Sequence, residues 1–320
     1  MSQDRYWRAI SVDSISPHCF PSVALYLKSS GNYVLYKTPE RMLTAADFSR
    51  FERSFTEFLY VRSGDMEIVN DFMERNLTEL LSNEELSGAA KGKLLYQVAV
   101  NSVIDMFESP ETSDNLNRCR QTTEHILRYV ASDPHALKPL KSIVDNNFYF
   151  FAHAVQVTAL ALLVHEKLFS IDADEAIDVG IGCLIHDYGM TFISSEVLEK
   201  DYALTENEYY KVKQHTQKGY EYLKRSGNYS EVVLNIVRFH HERYDGNGYP
   251  AALKGDDIPR SAQVTGICDV FSALIMNRAH RKASSHNEAI KLMREEAENG
   301  AFKKELFDSF VAIANECYSA

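Results

Sequence analysis

The residues of this chain best placed to do chemistry are its histidines and a few aspartates. Ten of the eleven histidines lie beyond residue 120. His153, His186, His215 and the pair His240-His241 recur at separations of 33, 29 and 25 residues, and Asp269 follows His241 after 28. Asp187 directly follows His186. Each step is about one helix plus a loop, so successive helices of a bundle can each deliver ligands to one interior. Imidazole nitrogens and carboxylate oxygens suit iron, manganese or zinc. A carboxylate such as Asp187 has two oxygens and can bridge two cations. Two cations held this way activate water and clamp the oxygens of an in-line phosphoryl displacement.

The plainer alternative is a set of core histidines. A single histidine on an apolar face is usually a hydrogen-bonded core residue. Five of them in one helical region make a costly set of buried polar groups unless a cation pairs them. His18, alone in the first part of the chain, reads as a surface residue.

Those ligands need a scaffold, and the pattern supplies one. Apolar residues recur at helical spacing over 143–169, 174–185, 206–226, 230–241, 261–276 and 286–300. Strand signals are almost absent there, so the C-terminal part is expected to be an all-α bundle. The first 110 residues read as a smaller α+β domain. Segments 23–27 and 33–36 look like strands around the turn Ser29-Ser30-Gly31-Asn32, and 58–61 like another. A helix is expected from Thr44 to Phe51, with further helices near 65–82 and 87–108. The polar segment 108–114, which contains Pro110, marks the expected boundary, giving domains 1–110 and 111–320. Ser132-Asp133-Pro134 is a second break. The N-terminal domain carries no catalytic spacing and reads as a regulatory or partner-binding unit. The stretch 87–131 is a candidate dimerisation region.

Composition limits the partners. The 320 residues are 45% hydrophobic and 25% charged, with a net charge of −11, which is ordinary globular composition. An acidic chain is a poor partner for duplex nucleic acid, which needs a basic footprint. The longest pure apolar run near the centre, 159–164, is far below the roughly 20 residues of a membrane helix. The first ten residues lack the apolar core of a leader. Five cysteines (Cys19, Cys119, Cys183, Cys268, Cys317) are scattered without a CxxC pair, so reduced thiols in the cytoplasm are expected.

The motifs resemble the HD-GYP family, a branch of the HD superfamily of metal-dependent phosphohydrolases. Cys183-Leu184-Ile185-His186-Asp187-Tyr188-Gly189 resembles its HD signature. The stretch from His240 through His241, Glu242, Asp245, Gly246 and Gly248 to Tyr249-Pro250 resembles its HHE–DG–GYP signature. Ile258-Pro259 and the segment around Asp269 follow at the family's distance. The similarity runs over about 118–320, and the GYP motif is its most specific part.

The resemblance implies hydrolysis of cyclic di-GMP to pGpG or GMP on two or three metals. It implies His153, His186, Asp187, His215, His240, His241 and Asp269 as ligands, with Asp187 as the bridge. Trinuclear members carry a glutamate one turn before the first histidine; here that residue is Tyr149, so two ions are expected, iron foremost, with manganese or zinc as alternatives. Gly246 and Gly248 allow tight or left-handed backbone, and Pro250 stiffens the exit. Tyr249 is a structural anchor or a substrate-facing ring, the anchor being favoured. The same loop implies a GGDEF-domain protein as a partner.

The chain also departs from the family pattern. Met190 stands where the family has a lysine near the scissile phosphate. Ser272 replaces a second aspartate. The R-P-Y-R segment reads Arg278-Ala279-His280-Arg281, followed by Lys282. Arg278, Arg281 and Lys282 remain candidates for substrate contact or ordinary surface cations. The ligand set is intact, whereas a preorganised cation is lost, which typically costs about two to three orders of magnitude in rate. Three functions follow as expectations: a cyclic di-GMP phosphodiesterase, weak in turnover; a cyclic-dinucleotide binding module that keeps its metals; or a hydrolase of another phosphoester.

Overall fold

The computed structural model describes residues 6–12, 15, 20–83, 88–110, 113–132, 149–198, 200, 203–277 and 282–318. The chain divides into two compact units, Met1–Asn101 and Ser102–Ala320. The division falls inside a continuous helix. The polar segment 108–114 instead joins two helices.

In the first unit, strands β1 (Trp7–Ser11), β2 (Leu25–Ser29), β3 (Asn32–Lys37) and β4 (Phe58–Arg62) form an antiparallel sheet in the order β1-β4-β2-β3. The β2–β3 hairpin turns at Ser30 and Gly31, with φ of 48° and 80°, the positive pair that a two-residue hairpin turn of matching twist requires. β1, absent from the sequence reading, pairs with β4 from Trp7↔Arg62 to Ser11↔Phe58. Ile10, Leu25, Leu59 and Val61 are buried. Helix α1 (Ala45–Arg53) starts at a Thr44–Asp47 capping box, and its buried Phe51 meets Tyr36 of the sheet, ring centroids 4.9 Å apart. Helices α2 (Met66–Ser82) and α3 (Gly88–Glu108) follow.

The second unit is helical: α4 (Ser113–Ser132), α5 (Tyr149–Leu168), α6 (Ala173–Leu184), α7 (Ser195–Leu198), α8 (Glu206–Lys213), α9 (His215–Ser226), α10 (Glu231–Phe239), α11 (Arg260–Ile275), α12 (His286–Glu298) and α13 (Lys304–Tyr318). Residues 152–165 of α5 are all buried. A helix apolar on every side belongs at the centre of a bundle, and α4, α6, α11 and α13 pack around it. The segment 206–226, read as one helix, is two. Gln214 ends α8 and starts α9. Among the described residues no helix is long and apolar enough to cross a membrane. Cys119, Cys183, Cys268 and Cys317 are buried free thiols.

Candidate metal centre

Most of the site is built at helix ends. His153 lies in the first turns of α5 and Asp269 lies mid-α11. His186 and Asp187 follow the last turn of α6, and Asp187 leads into a 3-10 turn, Tyr188–Phe192. His215 is the first residue of α9, His240 caps the C-terminus of α10, and His241 follows it. Termini are where backbone groups lack partners within the helix, and the histidines use them. His186 Nδ1 meets the Cys183 carbonyl at 2.7 Å, His215 Nδ1 the Val212 carbonyl at 2.7 Å, and His240 Nδ1 the Ile236 carbonyl at 3.0 Å. A carbonyl only accepts, so each bond places a proton on Nδ1 and turns Nε2 inward, the arrangement that orients metal-ligating histidines.

The seven side chains proposed from the sequence are brought together in two groups. Asp187, His215, His240 and His241 form one; His153, His186 and Asp269 form the other. Both carboxylates span the two groups. Asp187 Oδ1 lies 3.1 Å from His215 Nε2 and 3.7 Å from His240 Nε2, while its Oδ2 lies 3.3 Å from His186 Nε2. Asp269 Oδ1 lies 2.9 Å from His153 Nε2, and its Oδ2 lies 3.7 Å from His241 Nδ1. The sequence reading gave that spanning role to Asp187 alone.

The electrostatics follow from burial. Burial works against ionisation of Asp187 and Asp269. The surrounding imidazoles outweigh it, holding Asp187 well below the usual carboxylate range and lowering Asp269 as well. Burial also opposes charge on His186, but Asp187 and Asp269 overcome it and push His186 up to about 9. His240 and His241 go the other way, lowered by burial and, for His241, by its neighbour His240. One proton is thus held beside Asp187 while the His240 and His241 rings are kept neutral. His186 Nε2 and Asp187 Oδ1 are buried without a hydrogen bond of good geometry, and such orphaned groups cost about 1–3 kcal/mol each. Five imidazoles and two carboxylates in this arrangement fit divalent cations, which would satisfy them together.

A glycine and a glutamate fix the backbone around the centre. A Cβ on Gly189 would lie 1.8 Å from the His215 carbonyl oxygen, so glycine here lets the segment after Asp187 touch the start of α9. Buried Glu242 accepts from the Ala251 amide at 2.7 Å and the Leu253 amide at 3.0 Å. It ties the loop 245–250 back to the histidine pair. Gly246 is left-handed, φ 86°. Gly248 instead serves a close approach, since a Cβ there would meet Glu242 Cα at 2.4 Å. The Tyr249-Pro250 bond is cis. Tyr249 stacks on His241, centroids 4.8 Å apart at 28°, and its amide donates to the His241 carbonyl at 3.2 Å. These contacts suit the anchor reading. Sequence reasoning assigned no role to Glu242 or Gly189, although both stand inside the quoted motifs.

The remaining candidates are less tied to the centre. Met190 is half-buried in the 3-10 turn, and Ser272 is fully buried in α11 with its Oγ lacking a hydrogen bond. Lys282 is exposed. Arg278, His280, Arg281, His18, Asp133-Pro134 and the side chains of Ser132 and Tyr149 lie outside the described residues.

Comparison with known proteins identifies the family. The HD domain family matches residues 139–306. The chain belongs to the HD-domain family, in its HD-GYP branch. It is 30% identical over 230 residues to the Pseudomonas aeruginosa protein named cyclic di-GMP phosphodiesterase PA4108, covering 71% of this chain and 54% of the relative. It is 37% identical over 136 residues to the Xanthomonas campestris cyclic di-GMP phosphodiesterase response regulator RpfG, covering 42% of this chain and 36% of that protein. The HD-GYP chain thus spans about half or less of the curated relatives it matches. The solved structure of Bd1817, an HDG"Y"P protein from Bdellovibrio bacteriovorus, shares the fold, with a TM-score of 0.74 at 18% identity over 96% of this chain and 99% of that one.

Proposed function

We propose that this HD-GYP chain is a metal-dependent phosphodiesterase that opens cyclic di-GMP to pGpG, or carries it on to GMP. The observation that carries the reading is the pair of ligand groups joined by two spanning carboxylates. His153, His186 and Asp269 would hold one divalent ion, and His215, His240 and His241 the other, with Asp187 between them. Iron is the first expectation, then manganese or zinc, because the donors are imidazole and carboxylate. Bound there, two ions supply a nucleophilic water at neutral pH and neutralise charge on the phosphoryl oxygens. The chain's own part is to hold three rings by backbone carbonyls with their lone pairs inward, and to keep both carboxylates ionised. Glu242 holds the loop beside His241, where Tyr249 anchors it. The outer face of that loop is available to a GGDEF-domain partner.

A second reading, a binding module with little turnover, is favoured by Met190. The turn after Asp187 offers an uncharged side chain where developing negative charge needs a donor. A third concerns substrate. A Vibrio cholerae relative, 31% identical over 181 residues, is named 3'3'-cGAMP-specific phosphodiesterase 1, so that dinucleotide belongs beside cyclic di-GMP in any panel. The deciding experiment is elemental analysis of anaerobically purified protein, with turnover of both dinucleotides measured on the same sample. About two ions per chain and linear product are expected. Loaded protein that binds a dinucleotide without cutting it would favour the second reading. Protein that retains no metal would sink the first two together.

A further inference from the structure

We infer that Lys213 is the cation that seats the phosphodiester not being cut, which would make it a specificity-determining residue for a cyclic dinucleotide. The inference rests on the phosphodiesterase reading and adds a residue to it.

Lys213 ends α8, two residues before His215. Its Nζ lies 4.6 Å from the ring centroid of Tyr209, one turn earlier on the same helix, and 5.1 Å from that of Tyr249. Tyr249 in turn stacks on His241. The lysine is therefore one aromatic ring away from the metal centre, in an order Lys213, Tyr249, His241. Among the described residues it has no carboxylate partner, unlike Lys200, which is paired with Glu208. Two aromatic rings attract an ammonium without neutralising its charge. The outer ring, Tyr209, is 51% exposed, so this end of the stack faces solvent and is open to a ligand.

Charge accounting says what such a cation does. A cyclic dinucleotide carries two phosphodiesters, each with one negative charge. The two ions of the centre serve the one that is cut. The other must lie outside the ligand cluster, because both phosphates belong to one closed ring. A cation one ring's width from His241 suits that second phosphate. Met190, in the turn after Asp187, is uncharged and supplies no second cation.

The test compares a substrate with two phosphodiesters and one with a single phosphodiester, using wild-type protein, Lys213→Gln and Lys213→Arg, each with its metal content measured. Lys213→Gln is expected to raise KM for cyclic di-GMP, and its Kd by calorimetry, by about tenfold or more, in line with loss of one charged hydrogen bond. Metal content and turnover of bis(p-nitrophenyl) phosphate should stay unchanged, and Lys213→Arg should restore affinity. The salt dependence of cyclic di-GMP binding should also become shallower in Lys213→Gln. Unchanged KM and Kd in Lys213→Gln, with wild-type protein active on cyclic di-GMP, would overturn this inference alone. Equal losses on both substrates would also overturn it, showing that the lysine only holds the loop. A wild-type protein that cuts bis(p-nitrophenyl) phosphate but neither binds nor cuts cyclic di-GMP would overturn the substrate reading, and the inference with it.

Discussion

His215 Nε2 and His240 Nε2 face each other at 3.3 Å across the centre, and the other nitrogen of each ring is committed to a backbone carbonyl. Two lone pairs pointed at one another repel unless something positive sits nearby. In the metal-free protein the positive group beside them is His186, which Asp187 and Asp269 push up to about 9; a divalent ion would bring more charge to the same place.

Metal removal should therefore loosen the second unit. Stripping the protein with a chelator is expected to lower Tm, and restoring manganese or iron(II) to raise it with concentration. A ligand at a thousand times its Kd adds about 4 kcal/mol to the folded state. Differential scanning fluorimetry across a metal titration checks this, and a flat Tm would contradict it.

Asp187→Asn should empty the centre while leaving the fold. The carboxylate lies within 3.7 Å of three imidazole nitrogens, and the amide has one acceptor and no charge. Elemental analysis should show loss of most bound metal with helical circular dichroism retained. Near-normal metal content would show that Asp269 suffices as the shared carboxylate.

The pH dependence has a definite sign. In the metal-free protein His186 is raised to about 9, above the unfolded value near 6.5. Its contribution to stability is complete below about 6.5 and is lost as pH rises through about 9. Asp187 is lowered, so its contribution holds above the ordinary carboxylate range and is lost in acid. A metal displaces the His186 proton, so uptake near neutral pH should release protons, and affinity should rise with pH up to about 9. Calorimetry in buffers of different ionisation enthalpy measures that release; zero protons at pH 7 would refute it.

Gly189→Ala is expected to be damaging out of proportion to one methyl group. The new Cβ would lie 1.8 Å from the His215 carbonyl oxygen, which is backbone and cannot swing aside. Overpacking of this kind costs about 1–3 kcal/mol, occasionally more. Both Tm and metal content should fall. A change confined to Tm would mean that the segment after Asp187 moves without disturbing His215.

Met190→Lys should increase turnover. Adding a cation beside developing phosphoryl charge is worth about two to three orders of magnitude where the donor is preorganised. A kcat measurement on cyclic di-GMP decides it. No gain would show that charge at this turn does not reach the reacting phosphate.

Much of this arrangement was legible in the sequence because histidine spacing and bundle periodicity point the same way. All seven proposed ligands converge, and the helices of the second unit fall close to their expected positions. The failures are local. Gln214 breaks one expected helix into two, because His215 must start a new helix to reach the centre, and polar Gln214 leaves no trace of that in the periodicity. β1 was missed because Trp7–Ser11 mixes charged and apolar residues and is defined by its partner β4. The shared role of Asp269 was not readable, since it depends on where a side chain 116 residues from His153 arrives. The unit division inside α3 was hidden by an uninterrupted helical pattern.

The 2.9 Å contact between His153 and Asp269 joins the first and the last of the seven ligands. A chain that has emerged only as far as the histidine pair already owns the Asp187 group, yet the other group still lacks Asp269, one of its three members. If these seven side chains hold the metal, capture at full strength would be a certificate of completion. A nascent or truncated polypeptide would then compete for one ion at best, and a paired centre would form only once α11 has docked.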